Sequence, residues 1–402
     1  MSTPRAAGLL AAAALLLAAC SGPSSETTAP VADRPSSSSA APSSPPDAVT
    51  PADAAAPLRA GEQFRTLAVP GGPYLPAAPS GGHDDYHCFL LDPHLATDRY
   101  VTGSDVLPGN LAVVHHAILF TVPPDQVAAA EAHDAQTAGR GWTCFGGTAL
   151  PNRTTTALSA LDSAPWLAAW APGGGESVFG RGTGKLLKRG SRVILQVHYN
   201  LREGVSPDST AVRLRLAPAG AHLKALKTML LVAPVELPCP PGETGLLCDR
   251  SRAIQDLTAR FGPDSGRTVA GLQLLCGGSF VHPRAGNTQH CDRRAGQDMT
   301  VRAVAGHMHL LGRSISVTLN PGGPRERTLL DRPVWDFDNQ GATPLKRPAR
   351  VRAGDTLRVT CTHDATLRSQ LPELEDEQPR YVTWGEGTSD EMCLGIVMYT
   401  AG

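Results

Sequence analysis

Residues 191–201 read SRVILQVHYNL, and residues 111–122 read LAVVHHAILFTV. Both are short, apolar and rich in β-branched residues, the pattern of strands that bury one or both faces. Six further stretches have the same character: Thr210 to Leu216, Lys224 to Val232, Thr300 to Val304, Ser314 to Leu319, Thr356 to Cys361 and Leu394 to Tyr399. Turn signals such as Pro-Gly, Gly-Gly and Asn-Pro-Gly-Gly lie between them. With 41 Gly and 35 Pro and few long amphipathic patterns, the chain reads as all-β. The expected architecture is two consecutive jelly-roll-like antiparallel β-sandwich domains, residues 63–218 and 219–402. One modest helix is expected at Pro124 to Thr137, where VAAAEAH has good helix propensity.

The 402 residues exceed what one compact domain usually takes. Lys and Arg number 36 against 37 Asp and Glu, and no basic run tracks a phosphate backbone, so nucleic acid is excluded as a partner. Residues 1–20 carry Arg5, an apolar core from Gly8 to Leu17, and small residues before Cys20, the layout of an export signal. Leu17-Ala18-Ala19-Cys20 resembles the lipobox of bacterial lipoproteins, which implies lipidation at Cys20 and a place in the cell envelope, facing periplasm or exterior. Residues 21–62 are almost wholly Ser, Pro, Ala, Thr and Asp, a composition that buries too little to order itself and reads as a linker. Eight further cysteines remain: Cys88, Cys144, Cys239, Cys248, Cys276, Cys291, Cys361 and Cys393. An even count in an oxidising compartment points to disulfides, and without a CxxC pair a zinc ribbon is a poor alternative.

Of the 13 histidines, His83, His94, His133, His222, His282, His290 and His363 read as ordinary surface or hydrogen-bonded residues. His307 and His309 are separated by Met308 alone, so a strand would send both imidazoles to one face as a chelate. Gly306 and Gly312 beside them leave room for a close approach. His115 and His116 are adjacent within an apolar strand, so both reach one ion only if the strand bulges or the rings use different nitrogens. His198 can supply a third imidazole from a second strand. Met392, next to Cys393, is a candidate thioether ligand, and soft sulfur with imidazoles points to copper.

These motifs, HH in an apolar strand, QVHY, HxH followed by LG, and TSDEMC, resemble in this order the copper type II, ascorbate-dependent monooxygenases. Tyr86-His87-Cys88, Trp142-Thr143-Cys144 and Trp170-Ala171 are smaller echoes. The resemblance implies two copper ions per chain. One is an electron-transfer site of His115, His116 and His198, and the other an oxygen-binding site of His307, His309 and Met392. It implies the pairs Cys88–Cys144 and Cys361–Cys393; proximity alone suggests Cys239–Cys248 and Cys276–Cys291. The implied activity is hydroxylation of an activated C–H bond in a small-molecule or peptide substrate, with O2 and a one-electron reductant such as ascorbate. Where the peptide-amidating members hold a substrate carboxylate with Arg, Asn and Tyr, this chain has Ala305, Leu394 and Ile396, which argues against peptide amidation. The alternative function is a non-catalytic copper lipoprotein that sequesters, senses or delivers the ion. A zinc hydrolase is disfavoured because no HExxH is present.

Overall fold

The computed structural model describes residues 55–78, 82–150 and 164–402. The signal segment, Cys20 and most of the expected linker lie outside the described residues. In the first half the strands are β1 (Gln63–Ala68), β2 (Asp84–Leu91), β3 (Arg99–Leu107), β4 (Val114–Val122), β5 (Trp142–Thr143), β6 (Trp166–Trp170), β7 (Ser177–Val178), β8 (Thr183–Leu187), β9 (Arg192–Asn200) and β10 (Ala211–Leu216). In the second they are β11 (Lys224–Val232), β12 (Glu236–Leu237), β13 (Thr288–Arg294), β14 (Met299–His307), β15 (Gly312–Leu319), β16 (Arg327–Arg332), β17 (Thr343–Val351), β18 (Thr356–His363), β19 (Val382–Thr383) and β20 (Leu394–Ala401). The helices are α1 (Val127–Asp134), α2 (Arg250–Phe261) and α3 (Pro263–Leu275).

The protein is mostly antiparallel β, as the alternation implies. One sheet runs β1-β10-β3-β8-β11-β20-β14-β17, with β7 beside β3. Its first half faces the sheet β5-β2-β9-β4-β6, and its second half faces β13-β18-β15-β16. The layers meet through alternating residues, as in a β-sandwich. Val101, Leu187 and Leu214 of the long sheet pack with Phe89, Leu119 and Leu195. In the second half, Leu231, Val304 and Val397 pack with Ile315, Val317 and Val359. A short parallel pairing, Lys224 with Thr183 and Ala225 with Gly184, makes the long sheet continuous between the halves.

The expected helix is present as α1 with a 3₁₀ turn at each end. By contrast, α2 and α3 were not expected. Asp249 caps α2 by accepting from the Arg252 amide, and Leu257, Phe261, Val269 and Leu272 of the two helices join the second core. The end of the expected linker is ordered: Arg215, wholly buried, donates to the carbonyls of Ala56 and Pro57 and to the carboxylates of Glu62 and Glu176. All four expected disulfides are formed: Cys88–Cys144, Cys239–Cys248, Cys276–Cys291 and Cys361–Cys393.

Candidate metal centre

His115 and His116 sit at the start of β4, beside β9. The register pairs Val114 with Tyr199 but His116 with His198, leaving His115 as an extra residue. This is a bulge, one of the two ways in which adjacent histidines can reach a common point, and it brings both rings to the same side. The three Nδ1 atoms converge: His115 to His198 at 3.0 Å, and His116 to each of the other two at 3.3 Å. Three imidazoles cannot all satisfy one another in this way, since each neutral ring has one proton to give. Nitrogens in such a triangle share a centre roughly 1.9 Å from each, near the ~2.0 Å of an imidazole–metal bond.

Asp84, on β2, accepts from His198 Nε2 at 2.8 Å and so leaves its Nδ1 lone pair free for the centre. Tyr86 stacks on the same ring, with centroids 4.0 Å apart and planes 11° from parallel. Burial opposes ionisation of Asp84, but the bonds from His198 and Thr388 prevail and hold the carboxyl well below its usual range. Burial also lowers the pKa of His115, His116 and His198, keeping the imidazoles neutral.

His307 and His309 are brought together differently from the expectation. His307 is the last residue of β14, and His309 lies beyond the strand, so same-face alternation does not pair them. Instead Glu391 reaches across: its buried carboxylate accepts from the amides of His309 at 2.9 Å, Leu311 at 2.6 Å and Met392 at 3.1 Å. The two rings then stand edge to face, 5.2 Å apart. The space left by the flanking glycines is taken by packing: a Cβ on Gly306 would meet Ile315, and one on Gly312 would meet Met308 and Trp335.

Side-chain partners again select the nitrogens. His307 Nδ1 donates to Gln340 Oε1 at 2.6 Å, and His309 Nδ1 to the Asp390 carbonyl at 3.1 Å. That exposes both Nε2 atoms for ligation, and His309 Nε2 is buried with no partner among the described residues. A buried lone pair of this kind fits a metal ion and is costly without one. Burial pushes His307 down to about 4. Met392 is buried next to Cys393, which is tied to Cys361 on β18.

The segment 388–393 serves both histidine groups. Thr388 donates to Asp84, the partner of His198, while Asp390 and Glu391 hold His309. Arg260 of α2 grips Asp390 with two bonds, at 2.7 and 3.0 Å. His363, read as a surface or hydrogen-bonded residue, is of the second kind: it is 1% exposed and binds the Met392 carbonyl and Glu391. Burial lowers its pKa, but the Glu391 carboxylate raises it further, so the net shift is upward. Asp84, Gln340, Glu391 and His363 all lie far in sequence from the residues they hold, at no fixed spacing. Only the neighbourhood of Glu391 to Met392 was a usable signal.

The two groups touch. The His116 and His307 rings are 6.0 Å apart, and Phe337 lies 5.2 Å from His115. Phe337 and Gln340 belong to a loop that meets the first half at Gly173. Gly173 has φ 73°, and a Cβ there would come within 1.8 Å of the Asp338 carbonyl, so only glycine allows this approach. Beside the rings, a cavity of about 270 Å³ opens between the halves and reaches His116 and His307. Ala305 and Ile396, paired in register, form part of its wall; Leu394 pairs with His307 and is not part of it.

Residues 283–401 match the family described as copper type II ascorbate-dependent monooxygenase, C-terminal domain. This stretch, the last third of the chain, is therefore similar to the C-terminal domain of that family. Among solved structures, allantoicase is similar over 85% of this chain and 90% of its own, at 9% identity and a TM-score of 0.19. The STIV MCP is similar over 84% and 97%, at 8% identity and a TM-score of 0.27. A fucolectin from striped bass serum is similar over 85% and 97%, at 10% identity and a TM-score of 0.15. None of these three likenesses carries an argument about fold or function.

Proposed function

We propose that the protein is a two-copper monooxygenase that hydroxylates an activated C–H bond of a small organic substrate, using O2 and a one-electron reductant such as ascorbate. The observation that carries this reading is the pairing of two unlike histidine groups beside one cavity of about 270 Å³. His115, His116 and His198 offer three Nδ1 atoms, while His307 and His309 offer two Nε2 atoms, with Met392 next to Glu391 on the segment that holds His309. Copper held there would supply one-electron redox chemistry and activation of dioxygen, the part no side chain can perform.

The chain's own residues do the rest. Asp84, Gln340 and the Asp390 carbonyl fix the tautomers of His198, His307 and His309, so each of these presents a lone pair. Glu391 holds the turn that carries His309 and so sets its approach to His307. Thioether at Met392 favours the reduced ion. The cavity walls keep water away from the reacting carbon. With copper held at both groups, the nearness of His116 to His307 would offer electrons a short path between them.

The same reading includes export and lipid anchoring at Cys20, and mass analysis of the mature N-terminus tests it. For the activity, oxygen uptake by the copper-loaded protein with ascorbate is measured against a panel of C–H donors. The expected result is donor-dependent uptake above that of free copper, lost in Met392→Ala and in His116→Ala. Uptake no greater than free copper across the panel, with both ions bound, would instead leave a copper-sequestering or delivery protein.

A further inference from the structure

Lys185, on β8, lines the cavity beside His116 and His307 and is 8% exposed. Its Nζ donates to the Trp166 carbonyl at 2.6 Å and the Thr228 hydroxyl at 3.0 Å, which leaves one of three ammonium protons. Among the described residues no carboxylate lies within ion-pair distance of it. Glu176, which also lines the cavity, is engaged by Arg215 at 2.8 Å and by the Ala56 amide at 2.7 Å. On the adjoining strands Asp105 is paired with Arg213, and Lys224 and Lys227 are exposed. A buried ammonium without a counter-charge is costly, and burial lowers the Lys185 amine to about 7. The surrounding wall is largely apolar, with Ile118, Trp166, Trp170, Phe179, Ile396 and Met398.

We propose that Lys185 is the substrate-binding cation of this cavity, and that its ligand is a monocarboxylate with an apolar body. The carboxylate supplies the counter-charge that Lys185 lacks, and the apolar part fills the walls toward His116 and His307. A single cation favours a monoanion, because a phosphate dianion would carry an unpaired charge into an apolar site. The volume sits near the lower end for ligand pockets, so the ligand is a small molecule. Calling this ligand the substrate rests on the monooxygenase reading; the carboxylate site itself does not. It also moves the anion grip away from Ala305 and Ile396, to the opposite half of the chain.

The test is calorimetric titration of the full chain, copper-free and copper-loaded, with 3-phenylpropionate and with the uncharged 3-phenylpropionamide. The carboxylate is expected to bind at least about tenfold more tightly than the amide. Binding should take up protons near neutral pH and weaken as pH rises from 6.5 to 9, because it needs the charged amine. Of the other groups on the cavity, burial lowers His116 and His307, and Glu176 forms an ion pair with Arg215. Lys185→Met should abolish the preference for the carboxylate and spare amide binding, and inorganic phosphate should not compete. Equal affinity for the two probes in the wild type, or an unchanged preference in Lys185→Met, would overturn the proposal. If Lys185→Met does not fold, the wild-type pH dependence and proton uptake decide the matter: a flat profile overturns it. Metal analysis of the same samples separates the two readings. Carboxylate preference without bound copper would defeat the monooxygenase and leave the site, and two coppers without preference would do the reverse.

Discussion

Asp84 accepts from His198 at 2.8 Å and from Thr388 at 2.9 Å, so one carboxylate orients a ligand and anchors the 388–393 segment. Asp84→Asn keeps the shape and removes the charge. It is expected to weaken copper at the first site by roughly 10–100-fold while sparing the second, measured by competition with a chromophoric chelator. An unchanged first-site affinity would show that Asp84 does not orient His198. Glu391 is the corresponding residue of the second site, with three backbone amides on one buried carboxylate. Glu391→Ala strands those donors, and about 3 kcal/mol or more of stability should be lost in denaturant titrations. A loss below 1 kcal/mol would mean the turn is held by other groups. Both residues escaped the sequence because a carboxylate that reaches across a sandwich has no spacing rule. The convergence of His115, His116 and His198 was legible: adjacent histidines in an apolar strand reach one point only by a bulge or through different ring nitrogens, and the strand bulges.

At the scale of elements, alternation located strands because burial acts on every second residue. The pattern in β18 is strict, with Leu357, Val359 and Cys361 buried between exposed or half-buried neighbours. Strand ends were less legible: β14 stops at His307, since the Glu391 carboxylate takes the His309 and Leu311 amides that a neighbouring strand would otherwise bind. The helices were hidden by composition. In α2 only Ala253, Leu257 and Phe261 are buried, four residues apart, among four Arg and Asp side chains; α3 carries Gly266 and Gly271, which lower its propensity. Yet α2 matters to the site, since Arg260 fixes Asp390. The Cys361–Cys393 bridge closes a separation of 32 residues and pins the strand that follows Met392. Replacing both cysteines by serine should cost roughly 3–4 kcal/mol and lower copper occupancy at the second site before the first. Equal loss at both sites would assign the bridge a purely global role.

For the whole molecule, the buried imidazoles set the response to acid. His115, His116, His198 and His307 all have pKa values lowered from 6.5. Below that value the unfolded chain binds more protons than the folded one, so the stability of the metal-free protein falls as pH drops through 6.5. His87 is lowered as well, while His363, raised from 6.5, and Glu386, pushed up to about 7 by burial, oppose this as two groups against five. Bound copper competes with the protons and should move the acid midpoint lower. Lys185 acts at the other end. Its pKa drops from 10.5 to about 7, so stability should rise with pH across that interval, a slope that Lys185→Met removes. Denaturation midpoints measured from pH 4 to 10.5 check both, and a flat acid limb in the metal-free protein would contradict the depressed imidazoles.

The most direct measurement is copper stoichiometry of the reduced full chain, taken beside a double substitution at each site. The expected result is two copper ions per chain, one lost with His116→Ala and His198→Ala, and the other lost with His307→Ala and Met392→Ala. A single ion in the wild type, or one abolished equally by either pair, would contradict two distinct sites.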